Sequence, residues 1–569
     1  LAVRAGGQRQ EHPACHDPMT SATSDQVSRD PRLRAAYAEA AGIYRILPAG
    51  VARPSSVAEL QALVSWARET GTSLTARGAG SGIPGSAVGA GVIVDLRDRM
   101  PRILEIDPAS ATAVTSGNIT HAELNHAARG YQLRLPPDPS SSAWATLGGM
   151  VSTNAAGARS VRHGPVRPWV MGMEVVTGDA ELGWLNRGET IRPLLRQDAI
   201  SRSLPTAITR FHARAAPAIR AAVDLIAQRF PKVRKNTAGY ALDRWLDSGD
   251  DLDLLIGAEG TLGLLTTIRW RLAPVAPAHT AVRVALRSLD DLEEAVRAVL
   301  QSDPSALELL DRTFLDLITL AGRGVERPDL PDGTEAVLLL EFERESLTAA
   351  QGAAADAVGA VRSLALDVLT ALTTEQEHQL WALRHAASPI LASLPGSYRS
   401  LQVIEDGCVP LAGLGAYIRA IREAAAARGV MVVIFGHAGD GNVHVNLIPD
   451  VGRPDWMAQV QGLYEEVNHA AIRLGGTVSG EHGDGRLRAG LLPSLYGQEI
   501  MALFQLVKTA FDPDGIFNPG VKLAGDRPAL ADLKLGPAAA PIPDDIADRL
   551  REIERTGGYA RSRSELAST

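Results

Sequence analysis

Four residues in two glycine-rich turns, His437, His444, Glu481 and His482, are of the types that bind a divalent metal or move a proton. The apolar run MVVIF (431–435) leads into GHAGDGNVH, and the alternation of HVNLI puts His444 and Asn446 on one side of a strand. Glycines at 436, 439 and 441 permit a turn tight enough to bring His437 back beside them, and GGTVSGEHGDG adds Glu481 and His482. Two histidines and a glutamate, His437, His444 and Glu481, leave a coordination position open, which is the pattern of a catalytic divalent metal, commonly zinc. A lone loop histidine ordinarily makes only hydrogen bonds, so the grouping carries this reading rather than any one ring.

A second chemistry is written in GAGSGIPG (78–85), where Gly80, Gly82 and Gly85 satisfy GxGxxG. A Rossmann loop of that spacing opens a crossover helix of at least ten residues or so. Here the next apolar strand begins at Val92, seven residues after Gly85. The spacing therefore predicts a loop between two strands, whose successive N–H groups form a concave nest for the two phosphates of a dinucleotide. PPDPSSSAWATLGGMVSTNAAGARSVRHG (136–164) complements it with glycines for close backbone approach and hydroxyl and amide side chains for neutral hydrogen bonds. In EQEHQLWALRHAASP, Arg384 and Ser388 stand four apart on one helical face, where guanidinium and hydroxyl can converge on an anion.

These residues need a scaffold. Of 569 residues 45% are hydrophobic and 21% charged, enough for a sizeable folded core. There are 57 Lys and Arg against 65 Asp and Glu, a net charge of −8, which argues against nucleic acid or anionic lipid as the main partner. The two cysteines, Cys15 and Cys408, are too few for an iron–sulfur cluster, so redox chemistry needs another carrier. No run reaches the roughly 18 apolar residues of a transmembrane helix, and the opening residues lack the apolar run of a signal peptide. The cytoplasm, or the periphery of the inner membrane, is the expected compartment.

Asp30 followed by Pro31 predicts a capped helix through RLRAAYAEAAG, and Ser56 with Glu59 a second one closed by Gly71. Strands are expected at 72–76 and 91–96, then short strands and helices with glycine turns from about 100 to 274. Strand-like TAVRVAL and AVLLLEF are each followed by a helical pattern, an α+β arrangement. In DDIADRLREIER (544–555), Ile546, Leu550 and Ile553 share one face of a tail helix, docked on the body or free. The expected organisation is a lead segment (1–44), a binding domain (45–275), a cap domain (276–523) and a tail (524–569).

Seven motifs then fall in one order: TARGAGSGIPGSAVGAGVIVDL, PPDPSSSAWATLGGMVSTNAAGARSVRHG, KNTAGYALDR, LLIGAEGTLGLLT, GHAGDGNVHVN, GEHGDGR and FDPDGIFNPG. With them the chain resembles the FAD-linked oxidases of the vanillyl-alcohol-oxidase type, which carry a PCMH-type FAD-binding domain, and within them the D-2-hydroxyacid dehydrogenases. The resemblance implies an α+β fold, with a two-lobed FAD-binding domain followed by an α+β cap domain and a C-terminal flavin-contacting segment. It implies oxidation of a D-2-hydroxy acid, of the D-lactate, glycolate or D-2-hydroxyglutarate class, to the 2-oxo acid.

Residue by residue, the resemblance implies that the backbone of Arg77, Gly78, Ala79, Gly80, Ser81 and Gly82 cradles the FAD pyrophosphate. Pro139, Ser140, Gly148, Gly149, Thr153, Asn154 and Gly157 would line the FAD channel, and Asn518 would lie near the flavin ring. His437, His444 and Glu481 match metal ligands and His482 matches the general base. Arg384, with Ser388 beside it, matches the anchor of the substrate carboxylate. His163 stands where the family often has Tyr and matches no flavin attachment site, so noncovalent FAD is expected. Where D-2-hydroxyglutarate dehydrogenases place a lysine for the second carboxylate, this chain has Glu405 and Asp406, which disfavour a dianion there; Arg234 or Lys235 could substitute. The electron acceptor is expected to be a separate quinone, cytochrome or electron-transfer flavoprotein. Two alternatives stay open: a sugar or aldonolactone oxidase, which needs neither Arg384 nor a metal, and a flavoprotein without catalysis.

Overall fold

The computed structural model describes residues 26–188, 205–321, 329–385, 390–392 and 394–567. Its first sheet has four strands in the order Val27–Ser28, Gly50–Ala52, Val92–Asp95 and Leu74–Arg77. The last three run parallel, with Leu74 opposite Val92 and Arg77 opposite Asp95. Parallel neighbours usually need a helical crossover. Here residues 78–91, the glycine loop, make the crossing without a helix, as the spacing predicts. The helix Val57–Thr70 carries the chain from Gly50–Ala52 to Leu74–Arg77, the two strands on either side of Val92–Asp95. Ser56 Oγ accepts from Glu59 N–H at 3.2 Å, Glu59 takes Ser55 N–H at 2.7 Å, and Leu60, Leu63, Val64 and Ala67 face the core.

The lead helix is shorter than its pattern predicts. It is capped by Asp30, which accepts from Leu33 N–H at 2.8 Å, but it spans only Pro31–Ala36. The cause is tertiary: the buried Arg77 guanidinium takes the carbonyls of Tyr37 at 3.2 Å and Glu39 at 2.7 Å, which fixes the chain in a non-helical path.

A second, antiparallel sheet orders Leu104–Asp107, Thr112–Ser116, Leu264–Arg271, Val170–Val176 and Leu182–Asn186. Along Leu264–Arg271 burial alternates, with Leu264, Thr266, Ile268 and Trp270 inward. The third sheet has seven antiparallel strands in the order Ala365–Thr370, Ala278–Leu286, Ala336–Arg344, Ala306–Asp311, Met431–Gly436, Asn442–Ile448 and Gly407–Cys408. Helices Leu292–Leu300, Leu347–Val361, Leu414–Arg428 and Trp456–Arg473 share one core with it, and a smaller core holds Phe314, Leu380 and Phe435.

After this sheet the chain returns to the first lobe. In helix Gln498–Phe511, Ile500, Phe504 and Val507 pack into the core of Phe211 and Trp245. Residues 516–518 then lie beside Leu74, which donates to Ile516 O at 2.7 Å and accepts from Asn518 N–H at 2.8 Å. The tail helix, Asp544–Thr556, is docked, with Ile546, Leu550 and Ile553 buried. Among the described residues no helix is long and apolar enough to cross a membrane.

Candidate functional site

One cavity of about 1280 Å³ joins the two chemistries. That exceeds the roughly 300–1,000 Å³ of a pocket for a single small ligand. Residues 77–83 form part of its wall, with Pro139, Ser140, Gly148, Gly149, Thr153 and Gly157 on the second segment, and Arg384, His437, His444, Glu481 and His482 on the cap. The backbone N–H groups of residues 78–83 find no acceptor among the described residues, which suits a nest for a pyrophosphate. Gly157, at φ 137°, is required by contact: a Cβ there would lie 2.3 Å from Asp138 O.

Asn154 and Asn518 do not line the cavity. Asn154 ends helix Leu147–Thr153 with φ 52°, and its Oδ1 accepts from Arg167 N–H at 3.1 Å. Asn518 is buried behind the wall, where Nδ2 donates to Ser86 O at 2.8 Å and Glu259 O at 2.9 Å. Both hold the walls together rather than facing a ligand. Ser388 lies outside the described residues.

The histidines meet because Phe435 pairs with His444 across the hairpin and Gly436 turns the chain. His437 Nε2 lies 2.8 Å from Glu481 Oε1, and His444 Nε2 lies 3.3 Å from the same oxygen. Behind them, His437 Nδ1 meets Glu308 Oε1 at 2.5 Å, and His444 Nδ1 donates to Glu405 O at 3.0 Å. Lys235 Nζ holds the other Glu481 oxygen at 3.1 Å. Three potential ligand atoms thus face one another with their outer bonds fixed, an arrangement that orients imidazoles toward a metal. Asp406, His444, Glu481 and His482 also bring ligand atoms within 4.8 Å of one another. Asp406 is already engaged, accepting from the N–H groups of Glu481 at 3.0 Å and His482 at 2.8 Å and from Asn442. Asp406 is thus committed to these donors, whereas His437 Nε2 faces Glu481 Oε1.

His482 stacks on His444 with centroids 4.9 Å apart, and its Nδ1 bonds Glu405 Oε2 at 2.5 Å. Burial disfavours the charged ring, but the carboxylates of Glu405 and Asp406 outweigh it and raise its pKa to about 9. Glu405, also paired with Arg488, is held at about 2 despite its burial by the charges of His482 and Arg488. Burial likewise opposes the charged His437, yet Glu308 raises it to about 9. His444 is lowered, chiefly by burial.

Arg384 is nearly buried. Its Nε donates to Glu308 Oε2 at 2.7 Å, and the guanidinium lies 4.7 Å above the Phe435 ring. Asn446 also lines the cavity; its Oδ1 accepts from Ser400 Oγ at 3.0 Å, while its buried Nδ2 has no partner among the described residues. Glu405 lines the cavity paired with His482 and Arg488, and Asp406 accepts from turn amides; neither offers a cation to a second carboxylate. Arg234 and Lys235 do not line the cavity either: Lys235 is buried between Glu481 and Asp440, and Arg234 donates to Gly439 O and Val161 O. His163 is held by Arg134 and Glu343 at the seam between the lobes.

Residues 276–521 match the family described as FAD linked oxidases, C-terminal domain, and residues 48–186 match the FAD binding domain. The glycolate oxidase subunit GlcD of Bacillus subtilis is 29% identical over 486 residues, covering 85% of this chain and 90% of that protein. The D-lactate dehydrogenase of Archaeoglobus fulgidus is 29% identical, covering 83% and 90%. The D-2-hydroxyglutarate dehydrogenase of Escherichia coli is 27% identical over 84% of this chain, which spans 48% of its length. Among solved structures, p-cresol methylhydroxylase with substrate bound aligns with a TM-score of 0.63 at 15% identity, covering 89% of this chain and 96% of that one, a likeness of fold.

Proposed function

Because this chain belongs to the FAD-linked oxidases, we propose that it is an FAD-dependent dehydrogenase that oxidises a D-2-hydroxy acid to the 2-oxo acid. The observation that carries the reading is the convergence of His437 and His444 on one oxygen of Glu481, beside His482 and Arg384, in the cavity that also holds the phosphate loop. The relatives' substrates, glycolate, D-lactate and D-2-hydroxyglutarate, support the substrate class.

Bound along residues 77–83 and the 139–157 segment, FAD supplies the hydride acceptor. A divalent metal held by His437, His444 and Glu481, zinc by its donor set, supplies a Lewis acid for the substrate hydroxyl. The side chains do the rest. Arg384 and the Nδ2 of Asn446 receive the substrate carboxylate; Glu308 takes Arg384 Nε, so the carboxylate is met at the Nη end. Glu405 is an acceptor only, which keeps a proton on His482 Nδ1; with its pKa raised to about 9 the ring must first shed the Nε2 proton, which a cation held beside it would favour, and Nε2 then takes the hydroxyl proton. Lys235 fixes Glu481 and balances its charge. The electrons then leave for a separate acceptor of the quinone, cytochrome or electron-transfer flavoprotein kind.

Acid precipitation tests the cofactor. The yellow chromophore is expected in the supernatant with the mass of FAD, and a chromophore that stays on the protein contradicts a noncovalent site. For the substrate anchor, Arg384→Ala is expected to weaken substrate binding by about 2 to 4 kcal/mol, mainly as a raised KM. It also strips Glu308 of a buried partner, which costs about 3 kcal/mol of stability. Arg384→Lys separates the two effects, since it keeps a charge beside Glu308 but loses the planar fork. A raised KM with a preserved thermal midpoint is the expected outcome; an unchanged KM in both variants removes Arg384 from the substrate.

A further inference from the structure

The segments before residue 48 and after residue 521 lie outside both matched families. They nevertheless clasp each other over the cofactor cavity. Arg45 N–H donates to Asp532 O and Lys534 N–H to Ile43 O, each at 2.8 Å. The tail helix buries Ile546, Leu550 and Ile553 with Leu33 and Tyr37 of the lead segment, and Arg32 pairs with Asp545. Beyond the helix, Arg97 donates to the carbonyls of Tyr559 and Ala560, and Asp98 accepts from Ser562 and Ser564.

The other side of this clasp faces the cavity. Lys534, Arg555, Gly557 and Tyr559 from the tail, with Glu39 and Arg45 from the lead segment, line the same space as the phosphate loop. The lead segment is bonded to that loop directly, through Ala41 N–H to Gly80 O at 2.9 Å. The tail meets the second cofactor segment where Tyr559 and Trp144 bring ring centroids to 6.0 Å. Its cations are already matched, Arg555 by Glu552 and Lys534 by Glu554. The tail therefore acts by covering the cavity rather than by adding positive charge to it.

We propose that the clasped chain ends are a wall of the FAD site, closing the cavity beside the phosphate loop and setting the rate at which the cofactor leaves. The inference rests on reading this cavity as the FAD site. Escape of a cofactor seated on residues 77–83 is opposed by a segment whose apolar face, backbone bonds and Tyr559 contact must open together.

Gly557 gives a test that leaves the chain at full length. Its φ is 68°, and a Cβ there would lie 2.9 Å from the Trp144 ring, so Gly557→Val pushes the tail off the second cofactor segment. The full chain, Gly557→Val and a chain ending at residue 523 are loaded with FAD and diluted, and release is followed as the rise in free-flavin fluorescence. Thermal midpoints report folding. Release at least tenfold faster from Gly557→Val and from the shortened chain is expected; if the shortened chain does not fold, Gly557→Val decides. Equal release from the full chain and Gly557→Val overturns the wall while leaving the cofactor reading intact. A full chain that takes up no FAD overturns both.

Discussion

His482→Ala is expected to cut the rate of flavin reduction by about a hundredfold or more while substrate binding changes little. A fixed ring orientation underlies this. Glu405 is buried, carries its charge and bonds His482 Nδ1, so the ring cannot turn that nitrogen toward substrate. Nε2 is then the atom His482 turns to the cavity, basic once its proton is shed, and alanine removes it without touching Arg384 or Asn446. Glu405→Gln keeps the shape but loses the charge, and is expected to act in the same direction with a smaller loss. Anaerobic stopped-flow reduction against substrate concentration separates the limiting rate from the binding term. Near-normal limiting reduction in His482→Ala rejects it as the base.

Removing the metal is expected to abolish turnover without releasing flavin. His444→Ala should lose the metal and keep FAD, because His444 stands on the cap sheet and the phosphate loop on the first sheet. Chelation of the unaltered protein should do the same reversibly, with activity returning on addition of a divalent ion. Glu308→Gln tests the support behind His437 and is expected to weaken metal affinity about 10- to 100-fold. Elemental analysis alongside the flavin spectrum reads both ligands at once. Fully active protein without stoichiometric metal would leave His437, His444 and Glu481 as a polar wall only.

The parts legible in the sequence were those written within a few residues. The glycine loop could be separated from a Rossmann loop because Val92 follows too soon for a helix, so two strands joined by coil follow from that; that they run parallel does not, since parallel neighbours usually need a helical crossover. His437, His444, Glu481 and His482 were visible because glycines crowd around polar residues of the right types. The supporting shell was not visible, because its partners are distant in sequence: Glu308 stands 129 residues before His437, and Glu405 77 before His482. The signal that existed for Glu308 was an acid inside the apolar strand ALELLD, fully buried, which needs a cationic partner. Distance in sequence also hid the partners of Glu405 and Asp406, namely Arg488 and the turn amides of Glu481 and His482. The local pattern overstates the lead helix for a similar reason, since the residue that stops it, Arg77, lies 40 residues from Tyr37.

The most direct measurement is anaerobic titration of the oxidised protein with D- and L-lactate, glycolate, D-2-hydroxyglutarate and a neutral polyol, following the flavin absorbance. Bleaching by at least one D-2-hydroxy acid or glycolate, with L-lactate and the polyol inert, is the expected result. Bleaching by the polyol while every hydroxy acid leaves the flavin oxidised would contradict it and favour a sugar oxidase on the same fold.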